Sequence, residues 1–232
     1  MKKVSVTGLF FLVFMIMSFN AGIRYSYPDF QKGGIQLFIG KHLAKNGVKI
    51  KELMIWGDGL CHLDISNSTI SDLKILSGIP LEKLHIAGTE ITDLNPLSAF
   101  KELNELDISG TRVTDLAPLR ELKRLRKLKM DSVKVSSLSP LIGLPLEELH
   151  IRKVSVQDLD LSPIVGMPLR VLCFPCTTVT NANVILQTDI QEILFSPSYI
   201  PAEQVNMLRA KNFLKINSYE DNNRFWQEFD KK

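Results

Sequence analysis

Apolar and polar positions recur along the chain with a period of about 22 residues. Seven segments begin at Leu60, Leu81, Leu103, Leu125, Leu146, Leu169 and Ile190, with spacings of 21, 22, 22, 21, 23 and 21 residues. Their shared frame is L-x-x-L-x-I-x-x-T-x-I/V-x-D-L-x-P-L, clearest in "LEKLHIAGTEITDLNPLSAFKE" and "LNELDISGTRVTDLAPLRELKR". A fixed period of this length is typical of a repeat protein whose units pack side by side, because one unit cannot bury its own apolar face.

Each position of the frame predicts a local structure. In L-x-x-L-x-I, alternate residues such as Leu84 and Ile86 face one side of a short strand. The eleventh position is β-branched in every repeat and precedes a turn-capping aspartate, namely Asp72, Asp93, Asp115 or Asp158. A proline that ends the strand and suits a turn or 3₁₀ segment follows at Pro96, Pro118 and Pro140. The predicted fold is a right-handed α/β solenoid with parallel strands on its inner face, turns or 3₁₀ segments on its outer face, and helical caps.

The ninth position of the frame predicts one further bond in each turn. Ser68, Thr89, Thr111 and Thr177 carry hydroxyls that can bond to turn backbone. Val133 and Val154 take this position in the fourth and fifth repeats, which should lack the bond. The fifth repeat also holds an insertion of two residues, which we interpret as repeat degeneration rather than a bend or contact region.

The N-terminal sequence has the pattern of an export signal. "MKK" precedes an apolar run from Val4 to Phe19, a charged region and short apolar core typical of a secretory signal peptide. We therefore expect residues 1–22 to be a signal peptide and the protein to be exported to the periplasm, the envelope or the medium. The alternative is an uncleaved N-terminal anchor that tethers the solenoid as a structural spacer of the envelope, and contact with a membrane is expected only through that segment.

Capping units are predicted on both sides of the repeats at 60–200. In the N-terminal cap, 23–59, apolar residues at helical spacing predict a helix that ends near Gly47: Ile35, Phe38, Ile39, His42 and Leu43. "KELMIW" and "LCHLDIS" lie three residues apart, too close for a parallel crossover, which predicts a hairpin. In the C-terminal cap, 201–232, Pro201 begins a helix and "FLKI" forms a last strand. A terminal helix opened by Ser218 and Asp221 is expected to cover the last repeat with Phe225, Trp226 and Phe229.

The "T-D-L-x-P-L" repeats resemble the short leucine-rich repeats of bacterial internalins. "LSPIVGMPLRVL" at 161–172 and "VNMLRAKNFLKIN" at 205–217 also resemble repeat regions found beside some bacterial protein kinases, and "FWQEFD" at 225–230 resembles the end of such regions. The resemblance implies an interaction module. The chain carries no kinase motif, so the resemblance implies no kinase activity.

Charge and composition narrow the range of partners. The 28 basic and 25 acidic residues give a net charge of +3, which provides no general electrostatic attraction for nucleic acid. With a near-neutral balance and no catalytic or ligand-binding motif, we predict a protein or peptide partner, no enzymatic activity and no cofactor.

The outward strand positions form the candidate binding surface. What we call the first column comprises Asp64, His85, Asp107, Lys129, His150, Cys173 and Leu194. The second column comprises His62, Lys83, Glu105, Lys127, Glu148, Val171 and Glu192, and Arg152 belongs to a third column that follows the strands. Alternating charges in the second column predict a self-compensating ladder. Side chains on neighbouring strands of a flat sheet do not converge on one point, so no metal site is expected from Asp64, His85 and Asp107.

Three cysteines, at 61, 173 and 176, are too few for a disulfide framework. The frame places Cys173 on the strand and Cys176 in the following turn, unlike a redox C-x-x-C at a helix N-terminus. In an extended strand their Cα atoms would lie about 10 Å apart, beyond the roughly 7 Å that a disulfide tolerates. A Cys173–Cys176 bond made through a turn at Pro175, and a thiol-redox function, remain the less favoured alternatives.

Overall fold

The computed structural model describes residues 27–56, 60–154, 159–211, 213–217, 225–227 and 230, with the backbone alone for 27–35. The predicted signal peptide, the hairpin tip at 57–59 and several predicted turn and cap residues lie outside this part of the chain. Those residues are Val156, Asp158, Ser218, Asp221 and Phe229.

The nine strands of one sheet lie side by side in the order in which they occur along the chain. Its strands are β1 (Glu52–Ile55), β2 (Cys61–Asp64), β3 (Leu81–His85), β4 (Glu105–Asp107), β5 (Lys127–Lys129), β6 (Glu148–His150), β7 (Val171–Cys173), β8 (Glu192–Leu194) and β9 (Lys215–Ile216). β1 pairs antiparallel with β2, which confirms the predicted hairpin, and all later neighbours are parallel. The predicted solenoid is therefore confirmed.

Short 3₁₀ helices return the chain from one strand to the next. They are Leu73–Leu76, Asn95–Ala99, Ala117–Glu121, Ser139–Leu141, Ser162–Ile164, Ala182–Gln187 and Pro197–Tyr199. Proline stands in the first turn of five of them, where its missing N–H costs no hydrogen bond.

Aspartates cap these turns as the frame predicts. The carboxylates of Asp72, Asp93 and Asp115 each accept a backbone N–H two residues ahead at 2.8 Å. In the fifth repeat Asp160 plays this role by accepting from Ser162 N at 2.8 Å. The two-residue insertion thus carries a cap of its own.

The strand leucines form one continuous core. Leu84, Leu106 and Leu128 are fully buried and lie in register on successive strands. The residue two places further along each strand, such as Ile86 or Ile108, is also fully buried, which confirms the inward positions of the frame. Since each leucine packs between the repeats on either side, the stability of one repeat depends on its neighbours.

The turn after each strand uses a left-handed residue that the repeat frame does not identify. It falls at the eighth position of the first six repeats, two residues past the second inward strand position. Its occupants are Asn67, Gly88, Gly110, Ser132, Lys153 and Cys176, with φ between 52° and 67°. A Cβ at Gly88 would lie 2.3 Å from Oδ1 of Asn67, so a side chain there would have to displace the Asn67 side chain as well as adopt a left-handed φ.

Hydroxyls at the ninth position behave as predicted at Thr89 and Thr111, whereas the prediction is wrong for Ser68, whose Oγ atom is buried without a hydrogen-bond partner. The Oγ1 atoms of Thr89 and Thr111 donate to the carbonyls of Ile86 and Ile108, both at 2.7 Å. Thr177 differs, because its Oγ1 donates at 2.5 Å to Ile151 O in the preceding repeat. Thr177 therefore satisfies a carbonyl in the fifth repeat, where Val154 offers no hydroxyl.

Helices pack at the two ends of the sheet. Helix α1 (Tyr27–Lys45) precedes a turn in which Gly47 has φ 72°, and Gln36 Nε2 donates to Leu53 O at 3.0 Å. Helix α2 (Ala202–Arg209) follows Pro201 as predicted. Phe225 and Trp226 are buried against Phe195, with ring centroids 5.9 and 6.3 Å away, as expected of a lid.

The division into a 23–59 cap, 60–200 repeats and a 201–232 cap stays a prediction.

None of the helices among the described residues is long and apolar enough to cross a membrane.

Replacing Leu106 by alanine should lower the free energy of unfolding by about 2–5 kcal/mol, because it leaves a cavity between two repeats. Ile142→Ala is the matched control, since Ile142 is 62% exposed and its loss opens no cavity. Chemical denaturation of the two variants and the wild type measures both effects. Equal stability of Leu106→Ala and wild type would contradict the core placement.

Candidate binding face of the sheet

Strand register aligns the outward side chains into the predicted columns. His85, Asp107, Lys129, His150 and Cys173 are direct partners on successive strands, with Asp64 before them and Leu194 after them. The second column is aligned in the same way. Arg152 follows β6 and is exposed.

The second column compensates its own charge. Glu105 lies between two lysines, 3.1 Å from Lys83 Nζ and 4.0 Å from Lys127 Nζ. Lys127 also pairs with Glu148 at 2.8 Å. Two histidines of the first column join the ladder, since His85 Nε2 lies 3.3 Å from Glu105 and His150 Nε2 lies 2.5 Å from Glu148.

This ladder lowers the pKa values of its carboxyls. The hydrogen bond from His85 lowers the pKa of Glu105 to about 2, with help from Lys83 and against the opposing effect of burial. Burial would raise the pKa of Glu148, but hydrogen bonds from Lys127 and His150 outweigh it and lower that pKa. Both side chains are thus held as carboxylates at neutral pH.

The first column leaves charge uncompensated. Among the described residues, neither Asp64 nor Asp107 forms an ion pair, and Lys129 forms none either. Each aspartate instead uses Oδ1 to accept a backbone N–H two residues ahead, from Ser66 at 2.8 Å and from Ser109 at 2.9 Å. Although burial raises it, the pKa of Asp64 is lowered overall by the hydrogen bonds from Ser66.

The N-terminal end of the face carries an apolar group that the column analysis missed. Met54 and Trp56 extend the face onto the hairpin, with exposed fractions of 45% and 37%. Met54 pairs directly with His62, so the two share one side of the sheet. The alternation in "KELMIW" contains this information, since it places Met54 and Trp56 opposite the inward Leu53 and Ile55.

His62 is covered beneath this apolar group. Its ring stacks on Trp56 with centroids 6.4 Å apart and meets the His85 ring edge-on at 4.8 Å. The side chain is 8% exposed, and its Nε2 atom is buried without a hydrogen-bond partner. Burial, with the nearby His85, lowers the pKa of His62 from its ordinary value.

At the C-terminal end, Cys173 occupies its predicted column but is 6% exposed. It contributes little accessible surface, in contrast to the prediction that its side chain faces outward into solvent. Burial, with Asp131 nearby, raises the pKa of Cys173 to about 11, which disfavours the thiolate that redox chemistry requires. Cys173 and Cys176 are free thiols in the structure, so nothing here supports a bond between them.

The first column does not form a metal site within the described part of the chain. No group of three or more histidine, cysteine, aspartate or glutamate side chains there could hold a metal ion.

Comparison with known proteins supports the same architecture. The family model for leucine-rich repeats in two copies matches residues 80–121. The fold is that of a leucine-rich-repeat solenoid. No curated protein matches the chain.

Among solved structures the chain is similar to internalins of Listeria monocytogenes, which confirms the predicted resemblance. With internalin InlF the identity is 24%, the TM-score is 0.55, and the match covers 68% of this chain and 47% of InlF. With internalin C2 the identity is 20%, the TM-score is 0.48, and the match covers 68% of this chain and 80% of that one. The chain spans about half the length of InlF, and at this level of identity the likeness concerns the fold.

The pKa of Glu105 predicts a pH-dependent contribution to stability. Since its folded value of about 2 lies below the ordinary 4.5, the contribution is present above pH 4.5 and lost as the pH falls from 4.5 to about 2. Glu105→Gln should therefore be less stable than wild type near pH 6, and the difference should shrink to nothing near pH 2. Urea denaturation across this range measures it.

Glu121→Gln serves as the control for the pH experiment. It removes an exposed carboxylate 3.5 Å from Lys101, a pair that water screens strongly, so its effect should be much smaller. A Glu105→Gln effect that is independent of pH would contradict the ladder interpretation.

Proposed function

We propose that this chain is an exported leucine-rich-repeat module that binds a protein or peptide partner through the inner face of its sheet. Leucine-rich-repeat proteins typically act as interaction modules, and their stacked strands offer an extended surface for a partner. A surface held by a continuous hydrogen-bonded ladder changes little on binding, which reduces the free energy spent on ordering it.

One observation carries the proposal: the difference between the two outward columns. The second column satisfies its own charges, whereas Asp64, Asp107 and Lys129 of the first column form no ion pairs among the described residues. Unpaired charges of both signs at fixed spacing favour a partner with complementary charges and give specificity more than bulk affinity. They do not favour nucleic acid, which requires a face of one sign with interleaved aromatic residues.

Candidate binding residues follow from this arrangement. The first column supplies Asp64, His85, Asp107, Lys129 and His150, the second supplies Lys83, Glu105, Lys127 and Glu148, and Arg152 adds an exposed cation. Cys173 lies in the same column and supports the face from within.

Capture of a partner tests the inner face directly. In crosslinked pull-downs from the envelope fraction of the producing organism, we expect Lys129→Glu with His150→Ala to reduce capture at least about fivefold, the effect of losing about 1 kcal/mol of contact. Lys123→Glu is the control, because it makes the same charge change at an exposed site outside the strands. Equal capture by all three proteins would contradict binding through this face.

Export follows from the N-terminal sequence and has its own test. We expect N-terminal sequencing of the protein from its native cell to begin near residue 22 or 23, after removal of the signal peptide. Recovery of an intact N-terminus in the membrane fraction would instead support the anchored alternative.

A further inference from the structure

We infer that the N-terminal end of the inner face anchors a partner segment in which an apolar or aromatic side chain lies close to a lysine or arginine. The inference rests on the proposed function and specifies the chemistry of the partner at one place on the face. It draws on the apolar group of Met54 and Trp56 and on the carboxylates beside it.

Met54 and Trp56 supply the apolar anchor. Both are large, substantially exposed and on the same side of the sheet as the columns, because Met54 pairs in register with His62. Tryptophan and methionine are enriched at the centres of protein interfaces, and tryptophan in particular contributes a large share of binding energy.

The Trp56 ring is held in place before any partner binds. His62 stacks on it within 13° of parallel, His85 contacts His62 edge-on, and Lys83 Nζ lies 6.0 Å from the indole centroid. The His62 Nε2 atom is buried without a hydrogen-bond partner, as Ser68 Oγ and Gln204 Oε1 also are among the described residues, so it can still bond to a polar group that a partner brings.

Carboxylates beside the anchor define the charge of the partner. Glu52 and Asp64 are direct neighbours in register, and Asp107 lies two strands beyond Asp64. Lys83 is already engaged by Glu105 at 3.1 Å, whereas Asp64 and Asp107 form no ion pair with a described residue. Lys51 acts on Asp64 through its charge without pairing with it. A cationic side chain is therefore the complement of this end of the face.

Sheet geometry sets the spacing between anchor and cation. Neighbouring strands lie about 4.8 Å apart, and residues advance about 3.3 Å along a strand. Asp64 faces Glu52, two residues from Met54 and four from Trp56, so it lies about 8 Å from the first and about 14 Å from the second. Asp107, two strands further, lies about 16 and 20 Å from them. An extended peptide also advances about 3.3 Å per residue, so the cation should stand about two to six positions from the apolar residue in the bound segment.

Selection from a phage-displayed library of random dodecapeptides on the immobilised full chain tests this inference. Peptides enriched on wild type should combine Trp, Phe, Met or Leu with Lys or Arg about two to six positions away. A synthetic copy of the most enriched peptide should bind Trp56→Ala at least about tenfold more weakly and Trp56→Phe nearly as well as wild type.

Asp64→Asn with Asp107→Asn separates charge from structure. Asparagine keeps the Oδ1 acceptor that Ser66 N and Ser109 N use, so the turns should stay intact while the negative charge is removed. This variant should bind the peptide several-fold more weakly, and its binding should depend less on salt concentration. Thermal melts of each variant show that the fold is retained.

Several outcomes would overturn the inference, and they are distinct from failure of the proposed function. Enrichment of no peptide, enrichment without cations, or equal binding to Trp56→Ala would each do so. So would concentration-dependent self-association that Trp56→Ala abolishes, since the occupant would then be a second copy of the chain. Peptide binding lost only in Lys129→Glu would leave the inner face as the binding surface and remove this anchor from it.

Discussion

The structure depends on one constraint, the burial of each strand leucine between two neighbouring repeats. Leu84, Leu106 and Leu128 lie in direct register and exclude water completely, so a shift of one residue in any strand would turn its leucine towards solvent. The 3₁₀ returns and their aspartate caps hold the length of each repeat to what this register requires. Even the insertion in the fifth repeat conforms, because Asp160 restores the cap two residues later.

The same register determines the electrostatics of the opposite side. Once the leucines are in line, the outward residues must also be in line, and neighbouring charges about 4.8 Å apart interact strongly. In the second column the side-chain charges alternate in sign, and Glu105 is held as a carboxylate between two lysines. In the first column Asp64 and Asp107 accept backbone N–H groups and form no ion pair with a described residue, so their charge remains available to a partner.

The sequence predicts the columns well and their accessibility poorly. Period 2 within strands and a period of about 22 between them identify which residues point outward, as the pairing of Asp107 with Lys129 shows. The exposure of an outward side chain depends on the volumes of the side chains packed around it, and no local sequence pattern encodes that packing. Cys173 and His62 are therefore buried at outward positions. The left-handed turn position was also missed, because residues as different as Gly110 and Lys153 occupy it.

The location of the apolar anchor follows from the end of the stack. A strand in the middle of the sheet has a neighbour on each side, and its outward side chains are partly covered by theirs. Within the described part of the chain, β1 has a strand neighbour on one side alone, and α1 meets it through the Gln36 bond to Leu53 O and through packing. Large side chains on β1 can therefore stay exposed without disturbing the ladder. In a solenoid whose second column satisfies its own charges along the central strands, the terminal strand is where an apolar contact for a partner costs the fold least.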